Sequence, residues 1–266
     1  MTDLDLDALL ALAVDVAAEA AALLLEGATR TRTHVGTKSS ATDMVTEMDR
    51  ASEALVVRRL LAARPDDSIK GEEGAAHEGT SGLTWVLDPL DGTTNYLYGI
   101  PQYGVSIAAE LDGHGVVGVV HDVAKREVFA AAKDHGATLD GLPIRATDQA
   151  ELATALVGTG FNYDLAVKAE QAAVIGRMIP HVRDLRRGGA AAIDLCWVAA
   201  GRLDAFFERG LAHWDHAAGA VVAREAGARV LLAEGGGYTA SIVAAAPGIA
   251  TAFTTLLRDA GHPVPD

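Results

Sequence analysis

Apolar positions recur at helical spacing from Leu4 to Leu25, with Asp15 and Glu19 on the polar side. They predict an amphipathic first helix over residues 4–26, stopped by Gly27. Residues 28–42 are polar and read as a loop or hairpin, and a second helix follows over 46–63, closed by Pro65. Thr46 and Asp49 stand at capping-box spacing, with Asp in place of the usual Glu. Ile69 then leads into Gly71-Glu72-Glu73-Gly74. The unbroken apolar run Trp85-Val86-Leu87 reads as a buried strand. Strand-like runs at 103–111, 116–122 and 127–132 are separated by turn residues at 113–115 and 125–126, and Asp140-Gly141 marks another tight turn. That is the pattern of an antiparallel meander.

After about residue 150 the rhythm changes. Apolar runs at 155–158, 204–208 and 229–232 alternate with helical stretches at 164–179, 190–200, 216–226 and 249–259. The expected class is α/β, with an α+β first half and an α/β second half. We expect one subdomain over 1–148 and another over 149–266, without a disordered linker between them.

Composition narrows the class. With 266 residues, half of them hydrophobic, the chain can bury a large core or two subdomains. The start is acidic (Asp3, Asp5, Asp7) and lacks the basic residues of a signal peptide, and Asp15 and Glu19 break any membrane span. One cysteine, Cys196, in an apolar stretch, excludes an intrachain disulfide and reads as a core residue. These points lead us to expect a cytoplasmic protein. A formal net charge of −14 argues against nucleic acid and anionic membranes as partners. It would also repel a phosphate ester, unless divalent cations reverse the local field.

Residues 85–95, Trp-Val-Leu-Asp-Pro-Leu-Asp-Gly-Thr-Thr-Asn, carry the candidate chemistry. Asp88 and Asp91 straddle a proline at the end of a buried element, and burying unpaired carboxylates is costly. A hard cation would resolve that cost, because the segment offers only oxygen donors. Gly92 permits close backbone approach, and Thr93 and Thr94 offer groups on which a phosphate could dock. A plainer reading treats Asp-Pro and Asp-Gly as turn formers and weighs equally on these residues alone. Glu72 and Glu73 could form a charged surface turn, Asp49 a cap, and Asp215 the N-cap of the helix after it. His213 and His216 flank Asp215 without zinc-ligand spacing.

The order of these signals along the chain is more specific than any one of them. It runs Lys38, Asp49, GEEG at 71–74, DPLDGTTN at 88–95, FFERG at 206–210 and HWDHAAG at 213–219. This resembles the inositol monophosphatase family, within the Mg²⁺-dependent, lithium-sensitive sugar and inositol phosphatases. The bacterial, actinobacterial-type members are the most similar, through NYLYGIPQYGVSIA at 95–108, VGTGFNY at 157–163 and GRLDAFFERG at 201–210.

The resemblance implies a layered α-β-α-β-α sandwich and two to three Mg²⁺ per site. Glu72, Asp88 and the Leu90 carbonyl would hold the first ion, Asp88, Asp91 and Asp215 the second, and Glu72 with Asp49 a third through water. Asp49 and Thr93 would polarise the attacking water, so Asp49, Glu72 and Thr93 form the implied catalytic set. The N–H groups of Gly92 and Thr93 would hold phosphate, with Lys38 nearby. Asp91, Ala191, Glu208 and Asp215 would contact the alcohol half, and Glu73 would support the metal site. Gly189-Ala190-Ala191 stands where the family often has Gly-Thr-Ala, and Gly74 where Ser is common. The implied protein is a homodimeric phosphomonoesterase acting on inositol monophosphate. Histidinol phosphate, fructose 1,6-bisphosphate and adenosine 3′,5′-bisphosphate are rival substrates, and a regulatory binding protein is the rival class.

Overall fold

The computed structural model describes residues 4–28, 35–37, 44–233 and 241–264. In chain order the first elements are α1 (Leu6–Ala28), β1 (Val35–Thr37), β2 (Met44–Thr46), α2 (Glu47–Ala63), β3 (Ser68–Gly71), β4 (Ala76–His77), β5 (Leu83–Asp91) and α3 (Thr93–Tyr98). The meander follows as β6 (Gly104–Leu111), β7 (His114–Asp122), β8 (Glu127–Ala132), β9 (Gly136–Leu139) and β10 (Leu142–Ile144). The remainder is β11 (Leu156–Thr159), α4 (Leu165–Met178), β12 (Asp184–Arg186), α5 (Ala191–Ala199), β13 (Ala205–Arg209), α6 (His213–Glu225), β14 (Arg229–Ala233), β15 (Ser241–Ala245) and α7 (Ala250–Asp259).

The turns of the meander are set by local chemistry. Asp112-Gly113 and Asp140-Gly141 both have positive φ at each position, as a two-residue hairpin requires. These hairpins build an eight-stranded sheet in the order β10-β9-β8-β7-β6-β5-β3-β4. A second sheet runs β12-β11-β13-β15-β14, parallel from β12 to β13 and antiparallel through β15. Residues 35–37 and 44–46 pair antiparallel, and most of the expected loop or hairpin over 28–42 lies outside the described residues.

Both sheets are covered on both faces, and strand alternation sorts the side chains into four cores between five layers. Trp85 and Leu87 face α1 and α2 in the first core, whereas Val86 faces α5 and α6 in the second. In the smaller sheet Phe206 packs with α5 and α6, while Ala205 and Phe207 pack with α4 and α7. The result is an α-β-α-β-α sandwich. By length and composition α1 could cross a membrane. In the fold Leu9, Val16 and Leu24 are buried in the first core, so it is a core helix here.

Two boundaries differ from the sequence reading, and three elements were not expected. Gly27 lies inside α1 and does not stop it. A Cβ there would come within 2.7 Å of the Tyr96 hydroxyl, which donates to the Leu24 carbonyl and docks α3 on α1. The helix α6 begins at His213, three residues before the expected start, so Asp215 lies in its first turn instead of capping it. The strands β12 and β15 and the short helix α3 had no clear periodic signal.

The helix α6 lies against a glycine face of β7. A Cβ on Gly118 would run into the backbone of Ala218 and within 2.9 Å of Val221 Cβ. Gly118→Val should therefore push α6 off the sheet and lower the unfolding free energy by about 1–3 kcal/mol, measured by urea titration. An unchanged midpoint would refute this close packing.

Candidate active site

The strand β5 lies between β3 and β6, and its last seven residues are buried. Its ladder with β6 becomes irregular between Asp88 and Asp91, where Pro89 has no N–H to give. The irregularity turns the carboxylates off the strand end. Asp88 is only 2% exposed and accepts the Leu90 N–H (3.0 Å). Gly92 follows in the left-handed region (φ 85°), and a Cβ there would sit 2.8 Å from the Gln102 carbonyl. Only glycine makes that turn without strain. Asn95 then fixes the turn by donating to the carbonyls of Gln102 (2.7 Å) and Gly188 (2.9 Å).

The helix α2 contributes from one side. Asp49 is fully buried. The Thr93 hydroxyl lies 3.2 Å from Asp49 Oδ2 and 3.0 Å from the Leu90 carbonyl, so its single proton can go to either. Ser52 donates to the Pro89 carbonyl (2.9 Å). Glu53 accepts the N–H groups of Glu73 (2.8 Å) and Ala75 (3.0 Å), which fastens the turn after β3 to the helix. Carboxylate oxygens of Asp49, Glu72 and Glu73 thereby lie within 4.8 Å of one another.

The second half of the chain closes the site. Asp91 accepts the N–H groups of Ala191 (3.1 Å) and Ala192 (2.9 Å) at the start of α5. Asp215 accepts the Ala212 N–H (2.6 Å) across the first turn of α6. A cavity of about 460 Å³ opens between these elements. Glu72, Asp88, Asp91 and Asp215 line it together with Leu90, Gly92, Thr93 and Ala191. Glu208, Lys168 and Arg187 also line it.

The electrostatics follow from crowding like charges out of water. Burial raises the Asp88 and Asp215 carboxyls well above their ordinary range, and Glu72 and Asp91 raise both further. Burial pushes Asp91 up to about 7, against the lowering pull of the N–H groups from α5. Glu208 also reaches about 7 through burial, opposed by the positive charge of Arg187. Several buried carboxylates sharing a cavity, with a carbonyl and hydroxyls beside them, make an oxygen-only donor set. That set fits a hard divalent cation, whose charge would offset the repulsion.

Of the residues singled out in the sequence, Asp49, Glu72, Asp88, Leu90, Asp91, Gly92, Thr93, Ala191, Glu208 and Asp215 are thus brought to one place. Asp49 stands behind Thr93 instead of in the cavity wall. Lys38 lies outside the described residues. Sequence reasoning passed over Glu53, Asn95 and Asp194. Asp194 sits in the first turn of α5, is 2% exposed, and is raised well above its ordinary range by burial and by Asp91. A lone acid inside the apolar stretch 190–200 was the available signal.

Comparison with known proteins agrees with this geometry. Residues 5–261 match the inositol monophosphatase family. Inositol-1-monophosphatase SuhB of Mycobacterium tuberculosis is 48% identical over 245 residues, covering 87% of this chain and 84% of the relative. The solved structure of Mycobacterium tuberculosis SuhB superposes with a TM-score of 0.83, covering 97% of this chain and 99% of that one. A protein called Nus factor SuhB, from Pasteurella multocida, is 40% identical, covering 91% of this chain and 92% of its own. The chain belongs to the inositol monophosphatase family, and it is a phosphatase of that metal-dependent kind.

Proposed function

We propose that the chain hydrolyses inositol monophosphate to inositol and phosphate with Mg²⁺ as its metal. The observation that carries this reading is the convergence of Glu72, Asp88, Asp91 and Asp215 on one cavity, opposed by no buried cation among the residues lining it. Glu72, Asp88 and the Leu90 carbonyl would hold one Mg²⁺, and Asp88, Asp91 and Asp215 would hold a second. Glu72 and Asp49 reach a third through water. When bound, the cations supply the Lewis acidity that activates water and offsets the phosphate's charge.

The chain's own groups do the rest. The N–H groups of Gly92 and Thr93 face the phosphoryl oxygens. Asp49, hydrogen-bonded to Thr93, orients that hydroxyl toward the attacking water, and the Glu72 carboxylate, which lines the cavity, accepts the water's proton as its oxygen bonds to phosphorus. The P–O bond to the alcohol breaks, and the leaving oxygen takes up a proton from water. Asp91, Asp215, Glu208 and the Ala191 backbone hold the hydroxyls of the departing polyol. Carboxylates suit this role because they accept several hydroxyl protons at once. The name of the Pasteurella multocida relative belongs to that protein, and nothing in the cavity calls for a second reading.

Phosphate release from inositol 1-phosphate should require Mg²⁺ and exceed that from histidinol phosphate, fructose 1,6-bisphosphate and adenosine 3′,5′-bisphosphate. A preference for one of those three would overturn the substrate assignment. Thr93→Val should lower kcat by about 10²-fold with little change in KM, since it removes orientation of the water but no binding group. Steady-state kinetics with unaltered kcat would remove Thr93 from the mechanism.

Stability should report the carboxylate cluster without any substrate. Asp91 titrates at about 7 when folded, against 3.8 ordinarily. Between those values the folded chain holds a proton that the unfolded chain releases, so stability falls as pH rises. In EDTA the Tm should therefore decline from pH 4 toward pH 7 and then level, once other titrations are matched with an Asp91→Asn control. Saturating Mg²⁺ should raise the Tm of the wild type more than that of Asp91→Asn, which lacks one of the carboxylates proposed to hold the second ion. Identical pH curves for both in EDTA would contradict the raised Asp91.

A further inference from the structure

Gly160 directly follows β11, and β11 runs parallel to β13 with Thr159 opposite Phe207. One step further along, Gly160 lies beside Glu208. A Cβ placed on Gly160 would run into all three carboxylate atoms of Glu208, and these are its three nearest neighbours. The nearest obstacle is therefore the end of one flexible side chain.

Backbone conformation gives no reason for this glycine. Gly160 is not among the residues with positive φ, so alanine fits its backbone. Gly92 is the contrasting case, where a left-handed φ and the Gln102 carbonyl both exclude a side chain. Gly160 is itself buried and does not line the cavity, whereas Glu208 does.

The carboxylate depends on this support. Among the described residues no donor hydrogen-bonds to it. Asp91 and Asp215, by contrast, are held by backbone N–H groups. Glu208 is instead positioned by packing over Gly160 and by the charge of Arg187 across the cavity.

We infer that Gly160 is a specificity-determining residue, acting through Glu208: its missing side chain lets the carboxylate stand where it accepts hydroxyls of the polyol. This rests on the role of Glu208 proposed above. A methyl group at 160 would displace the carboxylate and leave the metal-holding wall untouched. The loss would then fall on substrates whose alcohol carries hydroxyls and spare those whose alcohol does not.

The test compares inositol 1-phosphate with p-nitrophenyl phosphate, both with saturating Mg²⁺. Gly160→Ala should lower kcat/KM for inositol 1-phosphate about tenfold, mostly through KM, as loss of hydrogen bonds to a charged acceptor would. For p-nitrophenyl phosphate the change should stay below about twofold. Adding Glu208→Asp to Gly160→Ala shortens the acid by one methylene and should recover part of the loss. Equal losses on both esters, or no loss on either, would overturn the inference. If wild-type protein prefers another hydroxylated ester, the same ratio is taken with that ester, so failure of the inositol assignment and failure of the Gly160 role remain distinct. Should Gly160→Ala alone fail to fold, the double variant should fold, because shortening the acid withdraws the nearest obstacle. Failure of both to fold would also overturn it.

Discussion

The carboxylate of Asp91 joins the two halves of the chain inside a crowd of buried acids. It ends β5, yet its hydrogen bonds go to Ala191 and Ala192, about a hundred residues later. Burial and Glu72 both oppose its charge, and only the α5 N–H groups favour it. A buried carboxylate without such donors would be neutral or would unfold its surroundings. The same two bonds fix where α5 begins. The helix α6 packs on α5, with Gly219 against Leu195, so Asp91 indirectly fixes Asp215 as well.

The five-layer architecture makes this arrangement possible. Acids from α2, the turn after β3, β5 and α6 converge although each belongs to a different element. The repulsion among them is carried by the cores on either side of the large sheet, where Trp85, Leu87 and Ile107 on one face and Val86, Val120 and Ile193 on the other are almost wholly buried. Packing thus brings the acids within reach of a shared cation. Pre-positioning of this kind lowers the reorganisation needed when a cation arrives.

What the sequence made legible follows the range of the interactions. Strand β5 was readable because burial on both faces leaves an unbroken apolar run, and the meander because its turns are chemically marked. Glu72, Asp88, Asp91 and Asp215 stood out through their order along the chain, since each alone passes for a cap or a turn. Strand β15 (Ser241–Ala245) was missed because five small and apolar residues have no periodicity, and its place between β13 and β14 is decided by distant partners. Glu53 was invisible for the same reason: it reads as an exposed helix acid until the N–H groups of Glu73 and Ala75 arrive some twenty residues later. The early start of α6 was hidden because Ala212 precedes it instead of a polar cap, and Asp215 reaches back to the Ala212 N–H in its stead.

The two sides of the cavity are held by different physics. On one side, Asp88, Asp91, Asp215 and Thr93 each have a hydrogen-bond partner that restricts their position. On the other side, Glu208 is constrained by shape and by one facing charge. Hydrogen-bonded groups resist displacement because moving them strands a buried donor, at a cost of about 1–3 kcal/mol each. A carboxylate resting on a glycine moves when its floor changes, and nothing else need break. On the roles proposed above, a change beneath Glu208 bears on substrate preference while leaving in place the hydrogen bonds that hold Asp88, Asp91, Asp215 and Thr93.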